Sequence, residues 1–185
     1  SVLLFQMLIG VPLALQRVRQ PLRPRFVPLQ ESALPDAIWV ALTDAAEALA
    51  ADGFIHYGDF RCDQLAQDTT FWLRLLGQPV QGIGALAVYV QFNTVTRPAR
   101  QFVEFLSEFV DGRVLSTNNL DLPYSLPAPA YLARVQLKDI WDPRALCVVH
   151  RHLVAALPQK VSLAKMDQAV CDPAQLLADS YAREI

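Results

Sequence analysis

The chain has 185 residues and a formal net charge of −2, a length that suits one domain with a substantial core. The charge is unevenly spread: the first thirty residues hold four arginines and no acid, and residues 31–185 hold twelve Lys and Arg against eighteen Asp and Glu. An acidic main domain lacks the basic face needed to neutralise phosphates, so no nucleic-acid partner is expected. Cys62, Cys147 and Cys171 form neither a CxxC pair nor a zinc-ligand spacing and read as reduced thiols of a reducing compartment.

The N-terminal thirty residues are the most informative stretch. Val2 to Leu15 is apolar apart from Gln6, Gly10 and Pro12, and Arg17, Arg19, Arg23 and Arg25 follow at once. Fourteen residues are fewer than the roughly 20 needed to cross a bilayer. The run reads as the surviving half of a transmembrane helix, as an amphipathic helix lying in the interface, or as a core helix. The arginines favour a membrane. A core helix gives no reason for four cations without counter-charges, whereas anionic headgroups attract them at about 1 kcal/mol each. The positive-inside rule then puts the rest of the chain in the cytoplasm.

Pro21, Pro24, Pro28 and Pro35 predict an extended connector over 20–35. Pro35 opens a helix to about Ala51, with Ile38, Leu42, Ala45 and Leu49 on one face and Gly53 as its stop. Period-two patterning then predicts strands near 54–62, 69–76, 83–92, 100–110, 113–119 and 131–137. Around Phe71, one face takes Phe71, Leu73 and Leu75, and the other takes Trp72, Arg74 and Leu76. Residues 85–90 are apolar on both faces, the pattern of a central or doubly covered strand. Asp111-Gly112 predicts a tight hairpin turn.

Pro123, Pro127 and Pro129 mark a loop. Asp142-Pro143 starts a long helix with a stripe of Leu146, Val149, Leu153 and Leu157. Asp172-Pro173 repeats that signal before a short terminal helix. The predicted fold is α+β: a curved antiparallel meander of five to six strands, packed by an N-terminal helix and a long C-terminal helix. An apolar membrane-associated helix precedes it. The predicted organisation is an anchor or interfacial helix over 1–19, a connector over 20–35 and one domain over 36–185.

Chemistry-bearing residues are sparse. His150 and His152 point roughly 200° apart on a regular helix and cannot share a metal ion. Cys147 and His150 can share a face, but two ligands do not make a zinc site, and no cofactor motif is present. No serine lies in a GxSxG elbow. Ser116, Thr117, Asn118 and Asn119 form a polar cluster that can line a pocket or contact a partner, although the favoured reading is a turn whose backbone groups they satisfy locally. Trp72 and Tyr89, on a sheet with apolar residues on both faces, are candidate partner contacts.

The expected function is that of a non-catalytic, membrane-anchored accessory protein. Residues 1–25 would meet lipid, and the domain would dock on a larger membrane protein complex. A second reading is a small-ligand or lipid-binding domain with a cavity between sheet and long helix, for which an enclosed volume of about 300 Å³ is the usual lower bound. A third, an enzyme using Cys147 and His150, requires both to face one solvent-accessible cleft.

Overall fold

The computed structural model describes residues 23–94, 97–122 and 127–184. The predicted helix over 1–19, with Arg17 and Arg19, lies outside them. The alternating segments form a seven-stranded sheet in sequential order: β1 (Val27–Leu29), β2 (Ile55–Cys62), β3 (Thr69–Gln78), β4 (Ile83–Phe92), β5 (Arg100–Glu108), β6 (Val114–Asn118) and β7 (Leu132–Gln136). Neighbours are antiparallel except β6 and β7, which run parallel from Val114↔Leu132 to Asn118↔Gln136. A parallel neighbour needs a long connection, and thirteen residues separate Asn118 from Leu132 in the sequence.

Among the described residues four α-helices cover the sheet: α1 (Asp36–Ala50), α2 (Pro143–Ala155), α3 (Ala164–Cys171) and α4 (Pro173–Glu184). α1 buries Ile38, Leu42, Ala45 and Leu49, as its spacing predicts. With Leu146 and Cys147 of α2, these residues pack on Trp72, Leu76, Ala85, Val103 and Phe105. The opposite face presents Leu73, Leu75, Val88 and Val90 to Ala169 of α3 and to Leu176 and Leu177 of α4. Two helix pairs therefore sandwich the sheet, and the doubly apolar β4 is doubly covered.

Several expectations are corrected. A seventh strand forms inside the predicted connector: Val27 pairs with Arg61, and Phe26 and Leu34 are buried. The domain thus starts before residue 36. α3 was hidden because it spans only eight residues and is low in apolar content, with Met166 and Ala169 as its buried pair. The stripe of α2 is rotated, burying Leu146, Cys147 and His150, while Leu157 lies beyond the helix and is exposed. The 109–113 turn is wider than a two-residue hairpin, and of Asp111 and Gly112 only Gly112 takes a positive φ, +82°.

Residues 160–162 carry the chain from one face to the other. The Val110 N–H donates to the Lys160 carbonyl at 3.0 Å, and the Ser162 N–H to the Glu108 carbonyl at 2.7 Å. This crossing presses on Gly82 (φ +66°), where a Cβ would sit 2.7 Å from Val161 Cγ1. At the start of α2 the Asp142 carboxylate accepts the Arg144 N–H at 3.0 Å. Because this cap satisfies an otherwise orphaned donor, Asp142→Ala is expected to lose about 1 kcal/mol of stability in urea unfolding.

Candidate functional site

A cleft of about 240 Å³ lies between the second sheet face and the α3–α4 pair. Its floor comes from alternate residues of the central strands, among them Leu73, Leu86, Val88, Phe102 and Leu106. Its roof comes from Met166, Ala169, Leu176 and Leu177. Period-two alternation builds the floor, since Phe102, Glu104, Leu106 and Glu108 all project from the same side of β5. Along that strand the cleft extends about 20 Å, from Phe102 and Phe26 at one end to Glu108 and Tyr131 at the other.

The two ends differ chemically. At the far end, Arg183 of α4 reaches Glu108 Oε2 with Nη1 (3.2 Å) and the Gly112 carbonyl with Nη2 (3.0 Å). Its guanidinium lies 4.7 Å from the centre of the Tyr131 ring, and the Tyr131 hydroxyl donates to the Arg183 carbonyl. These contacts fasten the end of α4 over the sheet. Midway, Glu104 accepts a hydrogen bond from Ser116. The near end is framed by Phe26 before β1 and by Phe71 and Phe102 of the sheet.

Ser116, Thr117 and Asn118 are buried residues of β6, between β5 and β7, and buried Asn119 follows them; none lines the cleft, and Asn119 lines a second cavity of about 210 Å³ with Val103 and Trp141. Thr117 Oγ1 lies 3.0 Å from His150 Nδ1. Asn118 Oδ1 accepts the Leu120 N–H (3.2 Å). Asn119 Oδ1 accepts the Val103 N–H (2.7 Å), and its Nδ2 donates to the Ile140 carbonyl (3.0 Å). Trp72 is buried beneath α1 and Tyr89 is half-buried against the same cluster, so neither sits on a free sheet face. Arg23 and Arg25 are exposed; the Arg25 N–H donates to Gln64 Oε1 (2.7 Å), and the Arg23 guanidinium is 4.0 Å from Asp179.

Cys147 and His150 are both fully buried, so they do not face the open cleft that a Cys/His enzyme needs. Burial pushes the Cys147 thiol up, away from the reactive thiolate. His150 Nε2 lies 3.0 Å from Ser107 Oγ, which makes it a polar rivet between α2, β5 and β6. A second buried polar group joins Arg74 to Asp59 in a bidentate pair. Among the described residues no three His, Cys, Asp or Glu are grouped to hold a metal ion, and no helix is long and apolar enough to cross a membrane.

The roof of the cleft escaped sequence reasoning. Its signal is the pair Met166 and Ala169, three apart, and then Leu176-Leu177 beyond the Asp172-Pro173 break. That is one apolar stripe on each of two short helices. Comparison of the chain with protein-family models, curated proteins and solved structures found no match.

Proposed function

We propose that the chain is a non-catalytic, membrane-associated binding protein whose cleft beneath α3 and α4 takes up a small apolar ligand or a single lipid chain. The observation that carries this reading is the cleft: an apolar floor from the sheet, an apolar roof from two short helices, and few polar groups. Its volume of about 240 Å³ lies below the roughly 300–1,000 Å³ usual for drug-sized ligands, which limits the occupant to something narrow. It lies on the face opposite the long helix α2, not against it. Association with the membrane rests on the apolar run from Val2 and on Arg17, Arg19, Arg23 and Arg25, and the same arginines favour the cytoplasmic side for the domain under the positive-inside rule.

Native mass spectrometry of the full chain released from detergent tests the proposal. One equivalent of a single-chain molecule is expected to remain bound. It should be lost in Leu106→Trp, which fills the cleft from a half-buried position, while the unfolding midpoint is retained. Binding that persists unchanged in that variant, or no bound molecule at any ligand concentration, would overturn the reading.

Docking on a larger membrane protein complex is a second reading. It is favoured by apolar side chains exposed on the α1–α2 side of the domain: Trp39 at 39 %, Val40 at 47 %, Trp141 at 65 % and Val148 at 47 %. Mild detergent extraction of native membranes followed by size separation distinguishes it. Co-migration with a larger complex at fixed stoichiometry supports docking, and a lone monomer removes it.

A further inference from the structure

The cleft is polar at one end only. Its polar lining residues are Glu104 and Glu108 of β5, Tyr131 before β7, and Ser180, Tyr181 and Arg183 of α4. The last three fall within one helical turn, and the contacts of Arg183 with Glu108 and Tyr131 put that turn at the far end. The near end is lined by the rings of Phe26, Phe71 and Phe102. Among the described lining residues Arg183 is the one cation, and its guanidinium is already committed. Nη1 donates to Glu108 Oε2 (3.2 Å), Nη2 donates to the Gly112 carbonyl (3.0 Å), and the group lies 4.7 Å from the centre of the Tyr131 ring. Two carboxylates share the floor with it, since Glu104 and Glu108 project from the same side of β5.

From this distribution we infer that the cleft takes a single-chain amphiphile with a non-anionic, hydrogen-bond-donating head, a hydroxyl or an amine. The head lies along Glu104 and Glu108, and the chain runs toward Phe71 and Phe102. The inference rests on the binding reading above and adds the chemistry of the head and the direction of the ligand. An acidic head has to displace Glu108 from Arg183 and leave that carboxylate facing a second anion in an apolar cleft. A donating head displaces nothing. Glu104 accepts from Ser116, and a carboxylate has lone pairs for several donors. At the near end a polar head would give up water among phenylalanine rings.

The test offers the full chain an equimolar mixture of dodecanol, dodecylamine and dodecanoate, and reads occupancy by native mass spectrometry. Dodecanol, dodecylamine or both are expected to exceed dodecanoate by about tenfold, the size of one unfavourable charge contact at a part-exposed site; the larger of the two identifies the head. Desolvation of a carboxylate acts in the same direction, so Glu108→Gln supplies the decisive comparison. In that variant Arg183 loses this carboxylate partner, and the ratio of dodecanoate to dodecanol should rise to about one or above. A ratio within one sample is insensitive to a general loss of occupancy. Dodecanoate equal to or above both other probes in the unaltered chain, or a ratio that Glu108→Gln leaves unchanged, would overturn the inference and leave the cleft reading standing. Failure of all three probes to bind would remove both.

Discussion

Asp59→Ala is expected to destabilise the domain by about 3–5 kcal/mol, the cost of stranding one member of a buried ion pair. Asp59 and Arg74 are 3 % and 4 % exposed. Arg74 Nε donates to Asp59 Oδ1 at 2.7 Å, and Nη2 donates to Oδ2 at 2.9 Å. Nη1 donates to Thr43 Oγ1 on α1 (3.0 Å), and Glu31 stands 3.7 Å away. The pair therefore ties β2 and β3 to α1. Burial alone would raise the Asp59 carboxyl, but hydrogen bonds from His56 and Arg74 hold it below the usual carboxylate range. With Asp59 removed, the guanidinium keeps Thr43 and a distant carboxylate. Urea unfolding gives the loss directly. The double replacement Asp59→Leu/Arg74→Met should recover most of it, because removing both charges leaves neither uncompensated. A single-variant loss below about 1 kcal/mol would mean that water screens the pair as at a surface.

The second large effect is a pH dependence set by His150. Burial, and then the charge of Arg151, pushes its pKa down from 6.5 to about 4. The folded value is depressed, so below pH 6.5 the unfolded chain takes up a proton that the folded chain refuses. Stability is therefore fully present above pH 6.5 and falls between pH 6.5 and 4, by about 3 kcal/mol in total. Below pH 4 both forms are protonated and this contribution levels off. Asp52 and Asp59 have folded values lowered from 3.8 and lose their contributions beneath that window, so the two effects separate. Urea midpoints at pH 7, 5.5 and 4.5 should fall steadily. His150→Gln, which keeps a polar group near Ser107 and Thr117, should flatten that slope whatever it does to stability at pH 7. An unchanged slope would place the titrating group elsewhere.

How far the sequence could be read depended on which interactions decide each part. The central strands were legible because alternation is local: the two faces assigned to Phe71–Leu76 are the two faces observed. The start of α2 was legible because Asp142-Pro143 is a local capping signal. β1 was not, since three residues with a proline become a strand only through pairing with β2. The parallel direction of β7 is set by its pairing with β6, a long-range contact that no periodicity records.

The cluster at 116–119 read as a turn because Ser, Thr and Asn favour turns when exposed. Here they are buried, and partners distant in sequence, such as Glu104 and His150, satisfy Ser116 and Thr117. The cleft was the least legible part. Its floor was visible as the apolar second face of β3 and β4, but its roof required α3 and α4 to fold back onto that face. The N-terminal arginines carried no sign of the cleft.

Photolabelling tests the central claim most directly. The full chain would be irradiated with dodecanol carrying a diazirine on its chain, and the modified peptides mapped. The account predicts labels on β5 between Phe102 and Leu106 and on the roof between Met166 and Leu177, suppressed by excess unlabelled dodecanol. Labels confined to Trp39, Val40, Trp141 and Val148, with the cleft residues unmodified, would contradict it.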